Sequence, residues 1–410
     1  MKFLLIPENN SLSHIAKCLA LTDILKSTGH EVHIAVSRKH SGFVNNSGIN
    51  AQARVHILSD IQETDGGGFP SFKWFSNIET IVRCIQEESD LMKQIKPDRV
   101  LGVFRFTLHA SSQIAKVPYD SLICGCMIPD CHEALGFSEN ENGSEIQRQL
   151  MDNFFRFAGK KFSLALREFG LPPIEDVRMA LKGERTFLWD FPEFMPLQKT
   201  PDLTYVGPVS FERWPYDPVP IEPILVSPKP LAVISFGTCV TDSPTVSRIA
   251  KILLELGYKV IVASGGQPEM SGSGQLALGV NVLNFAPLHR IFPYTSLLIT
   301  HGGQMTVFEA LQNEIPVLVM PLQPEQAHNG VCLERIGCGA RLIPSTHFTG
   351  VPEDYIQAFN QTTDEQIKAK IHGLITNETI KNNLAKIKKT LKHYQGAKDL
   401  ADFLGGEKTR

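Results

Sequence analysis

No run of apolar residues in this 410-residue sequence is long enough to cross a bilayer. The opening FLLIP follows one lysine and meets polar ENNS, so it is too short for a signal-peptide core. An excess of one charge is also lacking. Forty Lys and Arg stand against 43 Asp and Glu, a net charge of −3, which leaves no basic surplus to track a phosphate backbone and argues against nucleic-acid binding as the main task. Short-period repeats and low-complexity tracts are absent. The eight cysteines are too scattered for a disulfide framework. Cys124, Cys126 and Cys131 lie beside His132, but C-x-C is not the common zinc spacing. A strand SLICGCM with two packed thiols is the expected reading there. What is present, 42% hydrophobic and 20% charged residues, is an ordinary globular composition, and the length suggests two or three domains. A soluble, cytoplasmic protein is expected.

The first half alternates apolar strands with helical patterns. KFLLIP (2–7) and EVHIAV (31–36) read as strands flanking a helix over 14–28 that Gly29 ends. Further strands are expected near 54–58, 99–104 and 119–126, with helices at 76–95, 107–116 and 145–168. Such alternation predicts a parallel sheet covered on both faces. Between 206 and 230 the pattern stops in a stretch with seven prolines, read as an extended linker that cannot be helical. It then restarts with LAVISF (231–236), a helix from Pro244 with Ser243 as its N-cap, KVIVAS (259–264), NVLNF (281–285), SLLIT (296–300) and PVLVM (316–320). The lysine-rich stretch 377–394 reads as a solvated helix. The predicted class is α/β: two doubly wound, Rossmann-like domains.

Ligands of such sheets bind beyond the C-terminal ends of strands, where helices begin. Three segments of the second half fit that rule. Ser235-Phe236-Gly237-Thr238 follows a strand, and its glycine lets backbone approach a ligand. THGGQMTVFEAL (300–311) also follows a strand; Gly302 and Gly303 let backbone close on a diphosphate, and His301 adds a donor. Thr306 and Glu309 are spaced as a capping box, the plainer reading of that pair. In PLQPEQAHNG (321–330), Glu325, Gln326 and Asn329 cluster at a helix start, a grouping that suits hydroxyl recognition but in isolation passes for an ordinary solvated helix start.

Taken together, FAPLHRIFP, THGGQMTVFEAL and IPVLVMPLQPEQAHNGVCLERIGCG resemble the donor signature of inverting GT-B glycosyltransferases of the UDP-glycosyltransferase superfamily, close to the bacterial macrolide and natural-product enzymes. The resemblance extends over nearly the whole chain, including the strand–His14–helix–Gly29-His30 segment and Val206-Gly207-Pro208. It implies two domains facing each other across a cleft: an acceptor domain at 1–208, a linker at 209–229, a donor domain at 230–385, and a C-terminal helix at 386–410 returning to the first domain. Carried over position by position, Gly237, Thr238, His301, Gly302, Gly303, Thr306 and Asn329 hold the donor diphosphate. Phe285, Ala286 and Glu309 hold the nucleoside, Glu325 and Gln326 read the sugar, and His14 is the catalytic base.

This sequence departs from the family pattern at Ser13, Lys17 and Leu288. Above all, Val103 stands at a strand end where relatives often carry the Asp that orients the histidine, and Asp130 is the candidate substitute. The implied function is metal-independent, inverting transfer of a hexose from a UDP- or dTDP-sugar to a hydroxyl of a small apolar acceptor, without a resident cofactor. The acceptor would lie among segments 65–75, 104–109 and 124–155, where Phe69, Phe72, Trp74, Phe75, Phe154 and Phe155 are concentrated. Two alternatives stay open: a catalytically weak nucleotide-sugar-binding auxiliary protein, and an epimerase or hydrolase of the same fold.

Overall fold

In the computed structural model the described residues are 1–48, 53–59, 72–211, 221–225, 228–237, 243–265, 279–284, 286–347 and 353–406. The chain divides into two compact units. The first comprises Met1–His132, Arg148–Pro215 and Tyr394–Arg410; the second comprises Glu133–Gln147 and Tyr216–His393.

The sheet of the first unit contains β1 (Lys2–Pro7), β2 (Glu31–Ser37), β3 (Arg54–Leu58), β4 (Arg99–Val103), β5 (Tyr119–Ile123), β6 (Arg185–Leu188) and β7 (Leu203–Tyr205). Their order is β3-β2-β1-β4-β5-β6-β7, all parallel. Central β1 is covered on both faces, so Phe3, Leu4, Leu5 and Ile6 are all fully buried. Each such side chain contributes about 1.5–3 kcal/mol relative to exposure. The sheet of the second unit contains β8 (Leu231–Ser235), β9 (Lys259–Ala263), β10 (Val280–Leu283), β11 (Thr295–Thr300), β12 (Val317–Val319) and β13 (Gly339–Arg341). It is ordered β10-β9-β8-β11-β12-β13, again all parallel. Strand order reverses direction between β1 and β4 in one sheet and between β8 and β11 in the other. Those two reversals fix where loops diverge and a ligand can enter.

Several expectations are corrected. The strand expected over 119–126 ends at Ile123, and Gly125–Met127 forms a 3-10 turn because the backbone N–H of Gly125 leaves the sheet to donate to Asp190 Oδ2 at 2.6 Å. Within the proline-rich stretch Glu222–Leu225 is a helical turn, with Pro223 in a first-turn position where its missing N–H is not needed. Segment 133–147 joins the second unit: Gly136 O accepts from Arg341 Nη1 and Ser345 Oγ, each at 3.0 Å, and Phe137 stacks on His347. The return to the first unit begins at Tyr394 and not at 386, a position inside the Glu378–Leu391 helix. The final helix, Ala397–Gly405, packs against the Leu12–Ser27 helix, and Phe403 O accepts from Arg185 Nη1 at 2.9 Å.

Candidate active site

At the first reversal, β1 runs into the turn Glu8–Ser11 and then the Leu12–Ser27 helix, which places His14 in the first turn. Ser11 is the N-cap by position, yet its side chain does not cap the helix. The buried Glu8 serves the turn instead. Its Oε1 accepts from Asn10 N at 2.6 Å and its Oε2 from Ser11 N at 3.2 Å. The same Oε2 lies 3.0 Å from His14 Nδ1. The imidazole stacks on Phe104 (centroids 5.2 Å, 11° between planes) and touches Trp189 at 5.8 Å. Phe104 holds a left-handed backbone with φ 55°, a strain of about 1–3 kcal/mol for a bulky residue. Lys17 sits over the Trp189 ring at 4.4 Å.

The carboxylate beside His14 is thus Glu8, which the sequence reading missed. Asp130, the expected substitute for Val103, pairs with Lys182 Nζ at 3.0 Å. Val103 itself ends β4 opposite Pro7. A signal was present, since a carboxylate directly after a fully apolar strand is costly unless partnered.

Aromatic rings continue from His14. Phe104 meets Phe106 at 5.9 Å, Phe106 meets Phe75 at 5.6 Å, Phe75 meets Phe154 at 6.3 Å, and Phe154 meets Phe155 at 5.7 Å. Trp74, Phe75, Phe154 and Phe155 are all buried, so they form a packed wall. Phe69 and the side chain of Phe72 lie outside what is described. Arg105 and Thr107, which alternate with Phe104 and Phe106 in sequence, belong to a buried polar cluster. Glu88 accepts from Arg105 Nε (2.7 Å), Thr107 Oγ1 (2.6 Å) and Ser111 Oγ (2.7 Å). Burial alone would lower the Arg105 value; the charges of Glu88, Cys84 and Glu8 hold it above the ordinary arginine range.

At the second reversal, β8 leads to Gly237 and β11 to His301-Gly302-Gly303. The His301 ring is enclosed by glycines: a Cβ on Gly303 would fall 2.6 Å from its Nε2, and one on Gly237 would fall 3.0 Å from its Cε1. Gly302 takes φ 95°, and a Cβ there would meet Gln326 O at 2.7 Å. Gly303 is the N-cap of the Gln304–Gln312 helix and supplies no side-chain cap. Thr306 therefore lies inside the first turn, and the capping box with Glu309 does not form. An uncapped helix start presents N–H groups and the positive end of the dipole, a ready anion site.

The Pro324–Arg335 helix adds Asn329, whose Nδ2 donates to Gly302 O at 2.9 Å and lies 3.4 Å from Glu325 Oε1. Gln326 is buried, and its Oε1 accepts from Leu322 N at 2.9 Å. Glu325, Glu309, Thr306 and Ala286 are half-buried. Thr238 and Phe285 lie outside the described residues. The structure thus brings Gly237, His301, Gly302 and Gly303 together beyond the ends of β8 and β11, with Asn329 bonded to Gly302 and Thr306 in the first turn of the helix that follows.

His328, next to Asn329, is fully buried with no hydrogen bond on either ring nitrogen; Nε2 lies 3.5 Å from Glu133 Oε2. Burial pushes its pKa down to about 4; Glu133 opposes this, while Arg335 and Arg341 reinforce it. The unfolded chain then binds more protons than the folded one between the ordinary value of 6.5 and about 4. Stability should fall as pH falls through that window, by at most about 1.4 kcal/mol per pH unit from this one group. Urea unfolding from pH 7 to pH 4 should show a shallower decline in His328→Leu. Equal slopes in the two proteins would remove His328 as the cause.

Among the described residues no group of three or more His, Cys, Asp or Glu is placed to hold a metal ion, and no helix is long and apolar enough to cross a membrane. Two Rossmann-like units, each with polar groups at its strand-order reversal, are the architecture of the GT-B fold. The family described as UDP-glucoronosyl and UDP-glucosyl transferase matches residues 160–395, more than half of the chain, and the protein belongs to that family. Demethyllactenocin mycarosyltransferase of Streptomyces fradiae is 25% identical over 179 residues, 43% of this chain and 36% of that relative's length. A PGL/p-HBAD biosynthesis rhamnosyltransferase of Mycobacterium bovis (strain BCG / Pasteur 1173P2) is 22% identical over 369 residues, 83% of this chain and 76% of the relative. The solved spinosyn rhamnosyltransferase complexed with thymidine diphosphate shares the fold, with a TM-score of 0.69 at 16% identity over 99% of this chain and 100% of that one.

Proposed function

We propose that the protein transfers a hexose from a UDP- or dTDP-linked donor to a hydroxyl of a small apolar acceptor, with inversion at the anomeric carbon. The second unit would take the donor and the first the acceptor. The observation that carries this reading is the uncapped start of the Gln304–Gln312 helix beside His301. As the bond to the sugar breaks, its electron pair leaves on the diphosphate. Backbone N–H groups, His301 and Thr306 would stabilise that charge without a metal. Glu309, Ala286 and Phe285 would hold the nucleoside, and Thr238 and Asn329 would border the phosphates. Glu325 would read sugar hydroxyls, with Gln326 shaping the turn beside it. His14 would accept the acceptor proton, and the aromatic wall running from Phe104 favours a flat, apolar acceptor.

UDP or dTDP should stabilise the folded protein against heat, by about 2.7 kcal/mol at a hundred times Kd. The shift should persist in excess EDTA, and His301→Ala should abolish most of it. A full shift in the variant would place the nucleotide elsewhere.

A further inference from the structure

We propose that Glu8 is the positioning carboxylate of the catalytic histidine, standing on the β1 turn in place of the aspartate that the sequence lacks at Val103. This rests on the reading of His14 as the base. Glu8 is fully buried, and two backbone N–H groups of its own turn fix its carboxylate. Its backbone is tied to the strand end where the missing group would stand, because Glu8 N donates to Val103 O at 2.8 Å. The longer glutamate side chain delivers Oε2 to within 3.0 Å of His14 Nδ1.

An ionised carboxylate has no hydrogen to give and can only accept from the ring. Nδ1 therefore carries the hydrogen and Nε2 keeps the lone pair. Phe104 and Trp189, both in contact with the ring, oppose its rotation out of that alignment. In the reaction the acceptor O–H gives its proton to Nε2 while its oxygen bonds to the anomeric carbon, and the diphosphate departs with the electron pair. Nδ1–H stays on the ring throughout. Glu8 takes no proton; it holds the tautomer and stabilises the imidazolium, as the third member of a triad does. Arg105, held protonated by its neighbours, places a second fixed charge near Glu8.

Replacing Glu8 with glutamine separates this role from packing. The amide oxygen can keep the Asn10 bond, which turns the NH2 toward Nδ1 and forces the hydrogen onto Nε2. Nitrogen-15 histidine NMR of the full chain reads this directly, with His14 assigned by its absence in His14→Ala. The expected result is an Nδ1–H tautomer in the wild type and an Nε2–H tautomer in Glu8→Gln. An Nε2–H tautomer in the wild type, or no change in the variant, overturns the proposal whatever the activity. With dTDP-glucose and 4-methylumbelliferone as probes, Glu8→Gln should lower kcat by about 10²–10⁴-fold at unchanged donor KM and unchanged dTDP-induced thermal shift. In the His14→Ala background the same substitution should have no further effect on kcat, since the two residues act as a unit. Added losses in the double variant would show that Glu8 acts on folding or binding. Full turnover in His14→Ala would instead sink the base assignment, leaving the tautomer result to judge Glu8 alone.

Discussion

Replacing His14 with alanine should lower turnover by about 10²–10⁴-fold and leave nucleotide affinity unchanged. The two effects separate because the residues assigned to the diphosphate belong to the second unit, whereas His14 belongs to the first. A group that acts only on the proton in flight contributes to the transition state and not to ground-state binding of the donor. Calorimetric Kd for dTDP beside kcat with 4-methylumbelliferone measures both halves. Wild-type turnover in the variant would reduce His14 to a histidine that merely sits near a helix cap.

The largest stability loss should come from Glu88→Ala. Glu88 is fully buried and accepts from Arg105, Thr107 and Ser111. Its removal takes away the carboxylate that faces the buried Arg105 guanidinium and the acceptor of Thr107 Oγ1, and leaves Ser111 Oγ with only Thr107 O, which should cost about 3–5 kcal/mol. Urea unfolding at pH 7 gives the value. Removing both charges in Glu88→Gln/Arg105→Met should restore much of the loss, since an uncharged pair of similar volume avoids the ionic desolvation cost and the amide oxygen can still accept from a hydroxyl. A single variant within about 1 kcal/mol of wild type would mean that water reaches Arg105 once Glu88 is gone.

The parallel sheets were legible because central strands such as β1, β4, β8 and β11 are continuous apolar runs, and such runs survive any detail of packing. The meeting of two strand ends was legible for a related reason: Gly237 follows one apolar strand and His301-Gly302-Gly303 another, and a Cβ on any of the three glycines would crowd the His301 ring or the Gln326 carbonyl. Glu8 was not legible. Its partner lies six residues on, across a turn whose shape decides whether carboxylate and imidazole meet. The sequence pattern instead drew attention to Val103, one strand away, and to Asp130, which an amine on a different segment had already claimed. With Glu8 beside His14, the lack of an aspartate at Val103 no longer argues for a catalytically weak auxiliary protein. The capping-box reading of Thr306 failed by a shift of three positions in the helix start, because Gly303 and not Thr306 is the N-cap. Segment 133–147 was hidden since its docking depends on Arg341 and Ser345, some two hundred residues away.

The helix Ala397–Gly405 completes the first unit from the far end of the chain. On the ribosome, the surface of the Leu12–Ser27 helix that it covers must wait, uncovered, until the entire second unit has been made. At about 5–20 residues per second that delay is of order ten seconds or more, long enough for an exposed helix face to recruit a chaperone. The second unit has no such debt to later sequence. Newly made chains should therefore acquire a protease-resistant second unit first, with the His14-bearing unit locking only once the Ala397–Gly405 helix has emerged. A stop codon placed just after Leu391 should then yield a protein that is soluble through its later half and unstable in its earlier one.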